Sequence, residues 1–244
     1  MMTLGTTLTR RTLASLELFR GLLPAAQQDV VASARAQRFV RNARIFNQGD
    51  SNARAHVLLD GSVRISQSGS DGAQIVMRLI APGEMFGTVA LFTDHRYPAD
   101  AEAMTDTFEV SWSGADLLKL MQRHPQVATN ALKIVGKRLQ EAQDRMRELS
   151  TQRVEQRVAH TIVRLIRQTG RETEDGTAIM FPLRRKDIAD ICGTTLYSAS
   201  RILTAWEKAG WLVTRDQQLI VRNPSEIRRI GEDLRGLRRG KGIA

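Results

Sequence analysis

The chain has 244 residues, with 36 basic and 26 acidic side chains and a formal net charge of +10. A composition that is 42% hydrophobic and 25% charged excludes wholesale disorder, and at about 100–200 residues per domain the length fits one large domain or two ordinary ones. One cysteine, Cys192, excludes disulfide scaffolds, cysteine zinc sites and four-cysteine iron–sulfur clusters, and no apolar run approaches the ~18–20 residues of a membrane span, so a reducing cytoplasm fits best.

Arg10-Arg11 would suit a twin-arginine export signal, but Thr12 to Pro24 is broken by Glu17 and Arg20 and reads as a short amphipathic helix. Short helices are expected through residue 37, with Leu13, Leu16, Leu18, Leu22, Leu23, Val30 and Val31 as apolar positions. From Phe39 to about Trp112 short apolar stretches alternate with turns: Asn47-Gln48-Gly49-Asp50, Asp60-Gly61, Gly69-Ser70-Asp71-Gly72 and Pro82-Gly83. Strands over His56–Leu59, Ser62–Gln67, Gln74–Ile80 and Thr107–Trp112 at this spacing predict an antiparallel barrel or sandwich.

A long helix follows. Leu132, Val135, Leu139, Ala142, Met146 and Leu149 make a heptad stripe from Ala128 onward, with charged flanks such as Lys137, Arg138, Glu141 and Arg145. So narrow a seam predicts a two-stranded coiled coil between chains. A helix packed on its own domain would carry a wider stripe, to which Ile134 contributes a single residue. Beyond Ser150 come a helix marked by Val154, Val158, Ile162 and Leu165, a polar turn over Gly170–Gly176, a possible strand at Thr177–Phe181, and two helices with a tight turn. A hairpin (Trp211–Thr214 and Leu219–Arg222) and a basic tail beyond Pro224 complete the chain, which has no internal repeat and no low-complexity segment.

Charge is uneven: residues 1–149 hold 18 basic and 15 acidic side chains, a net +3, and residues 150–244 hold 18 and 11, a net +7. This suits a polyanion-binding module joined to something else, or an arginine-rich solvated surface. The stretch Arg185–Trp206 is more specific. Ala189 suits the closest approach of two short helices, Gly193 tolerates the positive φ of their turn, and Ile188, Cys192, Ala199 and Ile202 can form a small core. Thr194 or Thr195 would cap the second helix, whose open face would carry Tyr197, Ser198, Ser200, Arg201 and Lys208. This is a helix-turn-helix; the plainer reading is an αα corner of another helical protein.

Three features together resemble the CRP/FNR family of bacterial transcription regulators from about Leu16 to Pro224. One is the series Phe46-Asn47-Gln48-Gly49-Asp50, Leu59-Asp60-Gly61-Ser62-Val63 and Pro82-Gly83-Glu84-Met85-Phe86-Gly87; the others are the heptad helix and Gly193–Arg201. The resemblance implies an α+β chain: a cyclic-nucleotide-binding-like β-roll (jelly roll) over 12–124, a dimerisation helix over 125–150, a winged helix-turn-helix over 151–224 and a basic tail over 225–244. It implies that Arg201 reads a guanine, that Ser200 and Tyr197 contact bases, and that Arg185, Thr195 and Ser198 touch phosphates of a dyad-symmetric DNA site. RNA polymerase is the implied protein partner, a membrane is not, and an effector pocket is implied around Met85, Phe86, Gly87, Thr88, Val89, Leu91, Arg96 and Tyr97. Arg96-Tyr97-Pro98-Ala99 and Gly193-Thr194-Thr195-Leu196 resemble the NnrR-like regulators, which implies nitrogen-oxide or low-oxygen genes as targets.

The chain departs from the family's cyclic AMP receptors at two places. Thr88 stands where they place the glutamate that holds the ribose, and Tyr97-Pro98 stands where they place Arg-Ser for the phosphate, with Arg96 one position off. A buried phosphate without a paired cation is costly, so cyclic AMP is not expected to bind in the usual manner. His56 or His95 could serve as an axial haem ligand in a gas sensor, the plainer reading being a surface or turn histidine. Cys192 reads as a small buried hydrophobe rather than a redox switch. No catalytic constellation occurs, so an enzyme is not expected. A small-molecule-binding module acting through a protein partner is the alternative to a DNA-binding regulator.

Overall fold

The computed structural model describes Leu13, residues 16–70 and residues 74–232. Arg10-Arg11, the tip of the 69–72 turn and the tail beyond residue 232 lie outside the described residues. The chain forms two compact units, Met1–Gln143 and Asp144–Ala244.

Among the described residues of the first unit a 3₁₀ turn (Glu17–Phe19) and α1 (Pro24–Ala32) precede eight strands. These are β1 (Arg35–Phe39), β2 (Arg44–Phe46), β3 (Arg54–Asp60), β4 (Val63–Ser68), β5 (Gln74–Ile80), β6 (Met85–Phe86), β7 (Asp100–Ala103) and β8 (Thr107–Ser113). A short α2 (Val89–Phe92) lies between β6 and β7. The strands form two antiparallel sheets, β1-β8-β3-β6 and β2-β7-β4-β5. This is the expected roll, with more strands than the apolar runs predict.

Alternation along β3 separates two cores. Ala55 and Val57 face outward onto Leu16, Phe19, Trp112, Val127, Ala131 and Ile134, beneath the N-terminal turns, α3 (Gly114–Arg123) and α4 (Pro125–Thr151). Leu58 faces inward, with Phe46, Val63, Ile80, Phe86, Tyr97 and Ala101 from both sheets. The Trp112 indole donates to the Val30 carbonyl at 2.9 Å, tying α1 to the roll. Serine caps α3: Ser113 Oγ accepts the Asp116 amide at 3.1 Å.

The second unit holds the last turns of α4, then α5 (Val154–Thr169), α6 (Arg185–Cys192), α7 (Leu196–Lys208) and α8 (Pro224–Glu232). Its four-stranded sheet runs β11-β12-β10-β9, from β9 (Gly170–Thr173), β10 (Gly176–Ile179), β11 (Leu212–Arg215) and β12 (Gln218–Val221). The expectation of a polar turn over Gly170–Gly176 is corrected here. Residues 170–173 are a strand paired with β10, and only the link to Gly176 turns. All four residues of β9 are exposed, so backbone pairing holds the strand and leaves no apolar pattern to read.

Candidate nucleic-acid interface and sensor site

The helix-turn-helix is built as its residues dictate. Gly193 adopts φ 61° and ψ 51°, the left-handed conformation that ends α6. Thr195, not Thr194, caps α7: its Oγ1 accepts the Ser198 amide at 3.2 Å. Ile188, Ala189, Cys192, Ala199, Ile202 and Trp206 are buried between the two helices and α5. Cys192 behaves as a buried small side chain, with its thiol 3.3 Å from Thr161 Oγ1 and its pKa pushed up by burial. On the open face Tyr197 is 77% exposed, Arg201 and Thr195 are exposed, and Ser198 and Ser200 are half-buried.

Arg185 does not project outward. Its guanidinium is drawn onto α7, donating to the Ser200 carbonyl at 3.0 Å, Thr204 Oγ1 at 2.7 Å and Glu207 Oε2 at 2.7 Å. Glu207 also accepts from Thr214 Oγ1 on β11 at 2.7 Å, so one carboxylate joins the start of α6 to the hairpin. Sequence reasoning missed Glu207, because a pair 22 residues apart follows no helical or strand period. It also missed the exposure of Leu196, the apolar first residue of α7.

Along α4 the heptad stripe is open. Leu132 is 72% and Leu139 59% exposed, and Val135, Ala142, Met146 and Leu149 are exposed with them. A second face, Val127, Ala131 and Ile134, is buried in the first unit's core. Ile134 is therefore part of a separate intradomain contact and not a widening of the stripe.

The predicted effector residues divide between the two cores and the surface of the first unit. Met85 packs in the outer core, Phe86 and Tyr97 pack inside the roll, and Val89 and Arg96 are exposed. The Arg96 guanidinium donates to the Gly49 carbonyl at 3.1 Å. Tyr97 fills the interior, its ring stacked on Phe46 with centroids 3.7 Å apart and planes within 6°. Gly87 runs so close that a Cβ there would come within 2.8 Å of the His56 ring. Thr88 is buried, and its Oγ1 accepts from Arg138 Nη1 at 3.0 Å. Arg138 also donates to the Met85 carbonyl, and burial, reinforced by Arg78, lowers its pKa to about 10. A cavity of about 260 Å³ does occur in this unit, but between the N-terminal turn, Pro82–Met85 and α4; of the predicted residues it includes Met85 alone.

His56 is neither a surface nor a turn residue: it is 4% exposed on β3. Its Nδ1 lies 2.8 Å from Glu109 Oε2, and its Nε2 lies 3.0 Å from the Tyr97 hydroxyl. Glu109 is 1% exposed, and the Tyr97 hydroxyl accepts the Arg54 amide at 2.8 Å. Desolvation raises the Tyr97 pKa, so the phenol stays protonated. With both ring nitrogens engaged His56 does not fit axial haem ligation, and His95 sits exposed in a turn at φ 61°.

A roll of two antiparallel sheets followed by a helix-turn-helix with a β-hairpin defines a two-part class of protein, a β-roll domain and a helix-turn-helix domain in one chain. In agreement, residues 36–124 match the cyclic nucleotide-binding domain and residues 156–230 the Crp-like helix-turn-helix domain. The chain is 30% identical over 193 residues to the cyclic AMP receptor protein of Thermus thermophilus, covering 79% of this chain and 86% of that one. It is 28% identical over 205 residues to the nitrogen fixation regulation protein FixK of Azorhizobium caulinodans, covering 83% and 82%. The solved structure of FixK2 from Bradyrhizobium japonicum superposes with a TM-score of 0.71 at 24% identity, over 81% of this chain and 96% of that one, a likeness of fold. The chain belongs to the CRP/FNR family of DNA-binding transcription regulators, which are not enzymes.

Proposed function

We propose that the protein is a cytoplasmic homodimer that reads a dyad-symmetric operator in double-stranded DNA and acts on RNA polymerase. The observation that carries this reading is the uncovered heptad stripe of α4, six apolar positions in register along one face. Water-exposed leucines at that spacing are stabilised by a second copy of the same stripe. Paired helices of this kind would supply two recognition helices related by a dyad. In each, Arg201 would grip guanine and Tyr197 and Ser200 would meet base edges, with Thr195 and Ser198 toward the phosphates and Arg185 reaching one only on release from Glu207. The division of labour follows: a sensor over 12–124, a dimerisation helix over 125–150, a DNA-binding domain over 151–224 and a basic tail over 225–244.

The sensor would not be switched by cyclic AMP in the usual manner. Tyr97 occupies the interior where a nucleotide phosphate would need a cation, and Thr88 is held by Arg138. The finer likeness to NnrR-like regulators, with nitrogen-oxide or low-oxygen target genes, is supported by the two short segments that carry it, Arg96–Ala99 and Gly193–Leu196. Sedimentation equilibrium, with selection of bound duplexes from a random library, tests the reading. A dimer that enriches an inverted repeat is expected; a monomer, or enrichment of a single asymmetric site, would refute it.

A further inference from the structure

The C-terminal end of α6 leaves carbonyls that its own helix cannot satisfy. Two guanidinium groups take them up. Arg157 on α5 donates through Nε to the Cys192 carbonyl at 2.9 Å and through Nη2 to the Gly193 carbonyl at 3.1 Å. Arg145, on the last turns of α4, donates through Nη2 to the Ile191 carbonyl. Cations at a helix C-terminus are favoured by the peptide dipoles as well as by the hydrogen bonds.

Neighbouring residues reinforce the grip. Glu148, buried on the same stretch of α4, accepts from Arg164 Nη1 at 2.7 and 2.8 Å. The Leu149 side chain lies against Gly193, where an added Cβ would come within 2.6 Å of Leu149 Cδ2. Burial, then the charge of Arg164, lowers the Arg145 pKa, as befits a cation drawn inside. The turn gripped in this way leads two residues on to Thr195, the cap of the helix that carries Tyr197 and Arg201.

We propose that Arg145 is a positioning residue for DNA reading: it fixes the Ile191–Thr195 turn from α4 and so sets the aim of the recognition helix. This rests on α7 being the base-reading helix. Bidentate readout of a base edge tolerates errors of only about 0.5 Å and 10–20°, whereas phosphate contacts accept looser geometry. Loss of the grip should therefore weaken specific binding more than non-specific binding.

The test uses full-length protein carrying Arg145→Met or Arg145→Lys, a duplex enriched by the wild type from a random library, and a scrambled duplex. Arg145→Met is expected to bind the enriched duplex roughly tenfold more weakly, the scale of one hydrogen bond to a charged group. Affinity for the scrambled duplex and the salt slope should stay as in the wild type, because no phosphate contact is removed. Thiol labelling of Cys192, the chain's single cysteine, should accelerate severalfold as the turn loosens. Arg145→Lys, which retains a donor, should recover part of each loss. Wild-type affinity for the enriched duplex in Arg145→Met overturns the proposal. So does a parallel loss on both duplexes with the slope reduced by about 1, which would make Arg145 a phosphate ligand. If Arg145→Met does not fold, Arg145→Lys decides, with an intermediate specific loss supporting the proposal and wild-type binding and labelling overturning it. If the wild type enriches no duplex, it is the reading of α7 that fails, and Cys192 labelling then judges the turn by itself.

Discussion

Arg201 and Arg185 belong to one motif but stand in different surroundings. Arg201 is exposed on α7, where a long, planar, permanently charged fork can take guanine O6 and N7 together. Arg201→Ala is expected to cost about 1–3 kcal/mol per half-site and to relax preference at one base pair. Arg185 is held by Ser200, Thr204 and Glu207, so any phosphate it meets competes with Glu207. Where Arg185 exchanges Glu207 for a phosphate on binding, Arg185→Ala weakens binding to all sequences alike and flattens the salt dependence. Selection from random duplexes separates the two: a logo changed by Arg185→Ala and kept by Arg201→Ala would refute the placement of α7 in the major groove. Inside the roll, Tyr97→Phe removes the hydroxyl shared by the Arg54 amide and His56 Nε2. Leaving those groups without a partner should cost about 1–3 kcal/mol in denaturant unfolding, and an unchanged midpoint would mean that water replaces the hydroxyl.

The long helix shows how much an element can reveal before it folds. Its heptad stripe was legible because a period of 3.5 residues does not depend on what surrounds the helix. Leu139→Glu would set a charge against its symmetry mate in the seam, at a cost on the order of several kcal/mol. Sedimentation should then find a monomer, whereas a surviving dimer would place the seam elsewhere. The second face, Val127, Ala131 and Ile134, was hidden because three apolar residues mixed with alanines carry little periodic signal. Strands fared according to how densely apolar residues run along them. β5 was read to the residue and β3 and β8 were read slightly short, since Val, Leu, Ile and Trp cluster there. β1, with Arg35, Gln37 and Arg38, and the exposed β9 are held by backbone pairing and present polar sequences, so no apolar pattern marked them. The helix-turn-helix was legible because Gly193 and its small neighbours answer a steric demand that few other arrangements make. The interior of the sensor was not: that Tyr97 stacks on Phe46 and meets His56 depends on residues some 40 to 50 apart in the chain.

For the whole molecule the sensor and the reader make separate demands. If the proposed effector site is the roll interior, a cyclic nucleotide entering it would have to displace the Tyr97 ring from Phe46, break its contact with His56 and bury a phosphate that Arg96, turned out to Gly49, does not neutralise. Calorimetry should therefore find no micromolar binding of cyclic AMP; such binding would require Arg96 to swing inward. The reader's demand is one of symmetry. If α4 pairs in parallel as proposed, the two recognition helices would meet the major groove on one side of the duplex when half-site centres lie about one helical turn, roughly 10–10.5 base pairs, apart. Adding about 5 base pairs between the half-sites turns one of them to the far side, so the second helix loses its base contacts while phosphates remain within reach. Affinity for the lengthened duplex should fall to the level of a single half-site, and adding about 10 base pairs in all should not restore it if α4 holds the pair rigidly. Equal binding to all three duplexes in a mobility-shift titration would show that each subunit reads alone, and the heptad stripe would then need another occupant.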